Sequence, residues 1–126
     1  MVVSHYRSRR APTGAIYKKY RGRRLAELGN EPTLTKVGST RSKTLRTRGA
    51  DVKRRLLSHD TVNLYNPKTK KHEQAKIERV VESPADINYV RRNIVVKGTV
   101  VKTDKGNAKV TSRPGQEGSI NAVLVE

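Results

Sequence analysis

Hydrophobic and polar residues alternate over short runs from about residue 33 onwards, a pattern typical of β-strands rather than helices. The clearest run places Val62 and Leu64 on one face, with Asn63 and Tyr65 on the other. About six short strands at near-regular spacing predict a mainly β fold, a small antiparallel β-barrel with one short helix and an aliphatic core. Besides 62–65, the runs that read as strands are 33–36 (weakly), 43–48, 52–57, 74–82, 94–103, 108–112 and 119–125.

Turn-forming residues separate these runs. Residues 49–51 and 104–107 are predicted hairpin turns, and 66–68 is a further turn signal. Gly98 interrupts its strand as a bulge or a barrel corner would. The segment 113–118 is predicted to be a loop that closes the barrel or presents an arginine to a partner.

The strand over 74–82 has a less regular pattern than its neighbours. Its alternation places Ala75, Ile77 and Val81 on the inward face. Arg79 falls on that same face, which weakens the assignment.

A short helix is predicted after this strand. Ser83 can cap it, Pro84 fits the first helical position and Asp86 suits the third. The helix is predicted to run through about Tyr89, and Arg91 and Arg92 end it, where cations interact favourably with the negative end of the helix dipole.

The first 32 residues lack this alternation and are interrupted by glycine and proline. Only about one helical turn is predicted there, from Arg23 to Leu28, ended by Gly29. Leu, Ile and Val make up 9 of the first 55 residues but 19 of the last 71. Because so few aliphatic residues cannot offset the conformational entropy of folding, we predict a basic N-terminal arm (1–32), largely disordered when free, and a β-barrel body (33–126).

Charge and composition narrow the functional classes. The net charge is +17, of which +13 (16 basic, 3 acidic) lies in the first 55 residues and +4 (12 basic, 8 acidic) in the last 71. The absence of cysteine excludes disulfide scaffolds, thiolate metal sites and thiol catalysis. No apolar run approaches the length of a membrane span or a secretory signal, so we expect a soluble intracellular protein with no membrane partner.

The arm carries eight basic residues and no acidic one within residues 1–24, with Tyr6, Tyr17 and Tyr20 interleaved. Arginine forks suit phosphates and base edges, and tyrosine can stack on unpaired bases. The alternatives are a solvated tail, a targeting peptide or a membrane-surface segment, although no amphipathic stripe supports the last two. Since no recognition helix or zinc module is visible, the pattern favours RNA over DNA.

A second group of cations flanks the predicted hairpin turn at 49–51. Such residues can be solvated outward faces that discourage strand aggregation. Five cations around one acidic residue are dense for that role, and like charges across a hairpin repel. We therefore expect phosphate contacts here.

No catalytic constellation stands out, so we expect no enzyme activity, small-molecule substrate, cofactor or metal. His5, His59 and His72 lack metal-ligand spacing, and His59 is expected to face solvent from a loop. Glycine-rich phosphate loops are absent.

Five stretches carry a family resemblance over most of the chain. They are Ser8-Arg9-Arg10-Ala11-Pro12-Thr13-Gly14, Glu27-Leu28-Gly29-Asn30-Glu31-Pro32-Thr33, Arg46-Thr47-Arg48-Gly49, Tyr89-Val90-Arg91-Arg92-Asn93-Ile94 and Thr111-Ser112-Arg113-Pro114-Gly115-Gln116-Glu117-Gly118. Each is weak alone, but together and in this order they resemble the archaeal and eukaryotic small-subunit ribosomal protein S-eight-e family, in its short archaeal form.

The resemblance implies a structural component of the small ribosomal subunit. It implies a barrel similar to those of translation factors and a basic arm that runs into rRNA. It also implies a cytoplasmic, ribosome-bound location, with small-subunit rRNA and neighbouring ribosomal proteins as partners. We expect the free protein to be a monomer.

Three residues at two places in the chain depart from the family pattern. Asn30 stands where the family usually has arginine, which removes a cation. Ala50-Asp51 stands where it usually has Gly-Asn, and alanine tolerates positive φ poorly.

We therefore predict a structural rRNA-binding protein that holds RNA helices together through its arm and its arginine-rich strands. The alternatives are a free RNA-binding or translation-factor-like module acting off the ribosome and, more remotely, a DNA-compacting architectural protein. The residues predicted to contact RNA are Arg7, Arg9, Arg10, Tyr17, Lys18, Lys19, Tyr20, Arg21, Arg23, Arg24, Lys36, Arg46, Arg48, Lys53, Arg54, Arg55, Arg91, Arg92 and Arg113.

Overall fold

A computed structural model describes residues 3–125, and the chain divides after Pro32 into two units. The N-terminal unit contains β1 (Val3–Ser4), a 3-10 turn (Leu25–Glu27) and β2 (Leu28–Gly29). Its β1 and β2 pair antiparallel, and an isolated bridge joins Arg10 to Ile16. None of residues 3–32 is buried, so this unit has no hydrophobic core of its own.

The second unit, here called the barrel unit, contains most of the regular structure. Its strands are β3 (Thr35–Val37), β4 (Arg41–Arg46), β5 (Val52–His59), β6 (Thr61–Asn66), β7 (Lys71–Glu82), β8 (Ile94–Val95), β9 (Val100–Thr103), β10 (Gly106–Val110) and β11 (Asn121–Leu124). Its helices are α1 (Ile87–Arg91) and α2 (Pro114–Glu117).

Five strands close into a barrel in the order β10-β11-β6-β7-β9, which confirms the predicted mainly β barrel fold. Four of the five neighbouring pairs are antiparallel, whereas β11 and β6 are parallel. An odd number of strands that reverse direction at each step must meet in parallel when the barrel closes. The sequence predicted a fully antiparallel barrel, and this detail is wrong because one of the five strand pairs is parallel.

The other four strands form a second sheet, in the order β4-β5-β3-β8. β4 and β5 make the predicted hairpin, while β3 pairs parallel with β5 and antiparallel with β8. Ile94–Val95 therefore belongs to the second sheet and Val100–Thr103 to the barrel, so the predicted single strand over 94–103 is wrong. The predicted corner at Gly98 is confirmed, since its φ of 87° lets the chain turn from one sheet to the other.

The barrel core consists of small aliphatic side chains. Val62 and Leu64 are each 1% exposed, as their alternation predicted. Along β7, Ala75 and Ile77 point inward as predicted, but the pairing with β9 shifts register between Ile77 and Arg79 and again between Val80 and Glu82. These irregularities place Val80 in the core and leave Val81 exposed, so the inward assignment of Val81 is wrong.

The short helix begins later than predicted. Asp86, rather than Ser83, is the N-cap of α1, and its Oδ1 accepts a hydrogen bond from the backbone N–H of Asn88 at 2.9 Å. Ser83 lies buried before it. Arg91 ends the helix, as predicted.

The segment 113–118, predicted to be a loop, contains α2. Pro114 occupies its first turn, where a missing N–H is not needed, and Gly118 ends it in the left-handed region with φ of 72°. α2 packs against β5 of the hairpin. No helix within residues 3–125 is long and apolar enough to cross a bilayer.

Candidate nucleic-acid interface

Three tyrosines and two arginines of the N-terminal unit form a cluster, here called the tyrosine–arginine cluster: Tyr6, Arg7, Tyr17, Tyr20 and Arg21. The Arg7 guanidinium carbon lies 4.0 Å from the ring centroid of Tyr17 and 5.7 Å from that of Tyr6. The Arg21 guanidinium carbon lies 5.4 Å from the ring centroids of both Tyr6 and Tyr20. These are cation–π distances, so the arm has local order without a buried core.

Hydrogen bonds fix the hydroxyl end of Tyr20. It accepts from the Tyr6 hydroxyl at 3.3 Å and from Arg21 Nε at 3.1 Å. Donation by Tyr6 and the nearby Arg21 charge both favour the tyrosinate form of Tyr20, which lowers its pKa, whereas donating this bond raises the pKa of Tyr6. The Tyr20 side chain is nevertheless 72% exposed, so its hydroxyl is anchored while its ring stays open to solvent.

Arg21 also binds Glu27. Its Nη1 and Nη2 donate to Oε2 and Oε1 at 3.1 and 2.5 Å, and Glu27 Oε2 accepts from the backbone N–H of Arg24 at 3.0 Å. The Arg21 hydrogen bonds, with that of Arg24, lower the pKa of Glu27 to about 2, and the same pairing raises the pKa of Arg21. The guanidinium of Arg21 therefore already binds groups of the protein, unlike an arginine that is available to bind a phosphate.

The other predicted arm cations are exposed around a concave surface. The surface encloses about 680 Å³ and includes the tyrosine–arginine cluster. Arg9, Lys18, Lys19 and Arg23 lie on it. Arg10 donates through Nη1 to the carbonyl oxygen of Gly14 at 2.9 Å, and Arg24 is exposed before the 3-10 turn.

The β4–β5 hairpin separates its cations onto two faces. Lys43 pairs with Arg55 and Leu45 with Lys53, so these side chains share one face. Lys53 Nζ donates to Gln116 Oε1 of α2 at 2.8 Å.

Arg54 lies on the opposite face of the hairpin. A Cβ built on Gly118 would lie 3.0 Å from Arg54 Cβ, so the stem of Arg54 packs closely on this glycine. Arg46 shares the face of Arg54 and is exposed. Arg48 is exposed at the tip of the hairpin.

The remaining predicted residues lie on separate elements of the barrel unit. Lys36 is exposed on β3, and Arg91 and Arg92 are exposed at the end of α1. Arg113 is the N-cap residue of α2, which places it on the helix that packs against β5.

Sequence reasoning missed Lys43, which belongs to the hairpin as closely as Arg55 does. The residues chosen from the sequence were those nearest the turn, and the turn alone does not give the register. Counting back from the turn, with Arg46 opposite Val52, would have placed Lys43 opposite Arg55.

Among the described residues, carboxylates pair with two lysines of the barrel and with no cation of the hairpin. The ion pairs within the described residues include Lys102 with Glu78 at 3.2 Å and Lys105 with Glu73, which lowers the pKa of Glu73. No hairpin cation has a carboxylate partner within residues 3–125.

The histidines take part in no metal site among residues 3–125. His59 ends β5 rather than facing solvent from a loop. Its Nδ1 and Nε2 lie 2.9 and 2.8 Å from the hydroxyls of Thr40 and Thr61, so both ring nitrogens are hydrogen-bonded within the protein.

Comparisons with known proteins agree with the resemblance seen in the sequence. The family model described as ribosomal protein S8e matches residues 4–125. Three archaeal relatives, each named small ribosomal subunit protein eS8, are similar over nearly their whole length. The relative from Methanobrevibacter smithii is 47% identical over 99% of this chain and 100% of its own. The relative from Methanococcoides burtonii is 50% identical over 95% of this chain and 96% of its own. The relative from Picrophilus torridus is 45% identical over 99% of this chain and 100% of its own. Because the model spans almost every residue and the relatives match at this level end to end, the chain belongs to the ribosomal protein S8e family, a family of ribosomal structural proteins and not of enzymes.

Proposed function

We propose that this member of the family binds the rRNA of the small subunit through its basic arm and its β4–β5 hairpin, and holds RNA segments together without turnover. The observation that carries the proposal is the distribution of unpaired charge. Cations of the hairpin lack carboxylate partners within residues 3–125, whereas Lys102 and Lys105 of the barrel have them. A cation without a carboxylate partner is free to bind phosphate and release its counterions.

The two units contribute differently. The arm, proposed as residues 1–32, exposes arginines and the Tyr20 ring on a surface without a core, which suits an irregular RNA. The barrel unit holds the hairpin on a folded scaffold, so its cations have fixed spacing. The protein is proposed to act in the cytoplasm on the ribosome and to be a monomer when free.

Sedimentation tests the ribosomal location. In a sucrose gradient at moderate salt, we expect the protein to migrate with small subunits. If it stays at the top of the gradient while the subunits migrate, a module acting off the ribosome becomes the better assignment. A stronger affinity for duplex DNA than for a small-subunit rRNA fragment at equal salt would instead support DNA compaction.

Salt dependence tests the role of the arm. Each phosphate contact contributes about −0.7 to −0.9 to the slope of log affinity against log salt. Changing Arg9, Arg10, Arg23 and Arg24 to alanine should flatten that slope by about 3, while leaving the thermal midpoint nearly unchanged because these residues are exposed. The matched control changes four exposed barrel lysines to alanine: Lys71, Lys76, Lys97 and Lys109. Equal loss in both variants would show nonspecific attraction only.

A further inference from the structure

Lys43 and Arg55 form a like-charge pair at the middle of the β4–β5 hairpin. They are directly opposite in the antiparallel register, so both side chains project from the same face. Like charges in this position repel and destabilise the hairpin. Within residues 3–125 neither has a carboxylate partner to relieve the repulsion.

Arg55 carries a second unfavourable feature. Its Nε is buried and has no hydrogen-bond partner in the part of the chain that the structure describes. A buried N–H without an acceptor has lost its water without replacing it, which destabilises the folded state. The pairing and the orphan nitrogen both oppose folding of the free protein, so stability does not account for an arginine here.

The neighbouring cations are placed differently. Lys53 shares this face but is held by Gln116, and Arg54 projects from the opposite face beside Gly118. The side chains of Lys43 and Arg55 thus face each other with no hydrogen-bond or carboxylate partner among residues 3–125.

We propose that Lys43 and Arg55 form a binding site for a single phosphate group of the RNA backbone. This inference rests on the proposed rRNA binding and adds Lys43 to the residues that carry it. One phosphate between the two cations converts their repulsion into two attractions. Arg55 as a whole is partly exposed, so the phosphate contacts its Nη groups as a fork while the Lys43 ammonium contributes a point charge.

Folding of the free protein disfavours an arginine at position 55, whereas phosphate binding requires one. A single substitution therefore tests the site. Arg55→Met removes the orphan nitrogen and the repulsion but keeps an aliphatic stem. We expect its thermal midpoint to rise in the free protein. Its affinity for a synthetic small-subunit rRNA fragment should fall about 3- to 10-fold at about 0.1 M salt, with the salt slope flattened by about one.

Three further variants complete the design. Lys43→Met should lower RNA affinity by a similar factor. The double variant should lose less than the product of the two single losses, because both residues bind one phosphate. Lys109→Met removes a charge from an exposed position on β10 and should leave the affinity and the slope close to wild type.

The outcomes separate this site from the proposed function. If Arg55→Met binds like Lys109→Met while the arm variant still binds weakly, the phosphate site is overturned and rRNA binding stands. If the wild-type protein does not bind the rRNA fragment, both the phosphate site and the proposed rRNA binding are overturned. A lower thermal midpoint for Arg55→Met would make Arg55 a structural residue and overturn the site. If inorganic phosphate raises the wild-type midpoint but Arg55→Met leaves RNA affinity unchanged, the site holds free phosphate rather than RNA.

Discussion

The guanidinium of Arg21 and the carboxylate of Glu27 form a two-bond ion pair, with nitrogen–oxygen distances of 3.1 and 2.5 Å. Arg21 Nε also donates to the Tyr20 hydroxyl at 3.1 Å. One side chain therefore joins the 3-10 turn that contains Glu27 to the tyrosine–arginine cluster. We infer that Arg21 positions Tyr20, and that the neighbouring exposed arginines are the ones available to phosphate.

The ion pair gives the N-terminal unit a defined response to acid. The pKa of Glu27 is lowered from 4.5 to about 2, so the stabilisation is complete above about pH 4.5 and is lost as the pH falls towards 2. We expect the Glu27 carboxyl carbon to titrate in an NMR experiment with a midpoint near 2. Backbone amide shifts over residues 21–27 should follow it.

Glu27→Gln is the control for this titration. It keeps the size and the hydrogen-bonding oxygen of the side chain but cannot ionise. The amide shifts over 21–27 should then change little between pH 5 and 2. A wild-type midpoint near 4.5 would show that the pair does not form in solution.

Tyr20 is expected to be the main stacking residue of the arm. Tyr20 is 72% exposed as a residue and its hydroxyl is anchored, whereas the Arg7 guanidinium carbon lies 4.0 Å from the centroid of the Tyr17 ring. Stacking of one base is worth about 1–3 kcal/mol, so Tyr20→Leu should weaken binding to an rRNA fragment by that amount. Fluorescence anisotropy at several salt concentrations measures it, and the salt slope should not change because no charge is removed.

Two control variants test whether the effect comes from the ring and whether it is specific to Tyr20. Tyr20→Phe keeps the ring and should retain most of the affinity. Tyr17→Leu should have a smaller effect than Tyr20→Leu. Equal losses for both leucine variants would contradict a special role for Tyr20.

The barrel could be predicted where strands alternate without interruption. Val62 and Leu64 were assigned correctly because β6 pairs regularly with β7. Val81 was assigned to the wrong face because β7 has register irregularities that depend on its pairing with β9. The division of 94–103 between two sheets depends on Ile94 pairing with Lys36, a contact between distant residues that no local pattern encodes.

The candidate interface was predictable in composition but not in geometry. The excess of arginine in the arm is visible in the sequence. The engagement of Arg21 by Glu27 is not, because a separation of six residues matches no regular helical or strand neighbour. Lys43 was missed for a related reason, since its importance comes from standing opposite Arg55.

The hairpin turn offers a test of backbone strain. Ala50 has φ of 62°, the left-handed conformation that was in doubt for alanine at this position. That conformation costs a non-glycine residue about 1–2 kcal/mol, whereas glycine adds about 0.5–1 kcal/mol of unfolded-state entropy. Because the strain outweighs the entropic cost, Ala50→Gly should raise the free energy of unfolding by about 0.5–1 kcal/mol in urea denaturation.

The matched control is Ala85→Gly, at an exposed alanine whose φ is not positive. Only the entropic cost of glycine applies there, so this variant should lose about 0.4–1 kcal/mol. A loss of stability in Ala50→Gly similar to that of Ala85→Gly would show that the turn relaxes without strain.

The N-terminal unit should be ordered at its base and mobile at its tip before RNA binds. Residues 8–16 form the loop between Arg7 and Tyr17, whose guanidinium and ring lie 4.0 Å apart, and none of these loop residues is buried. Amide order parameters should fall below about 0.6 over this loop, against about 0.85 in the barrel strands, and should rise when an rRNA fragment is added. Glu27→Gln should also lower the values over 21–28, because it weakens the contact with Arg21. Values near 0.85 over residues 8–16 without RNA would show that this loop is folded on its own, and would contradict the prediction that the arm is largely disordered when free.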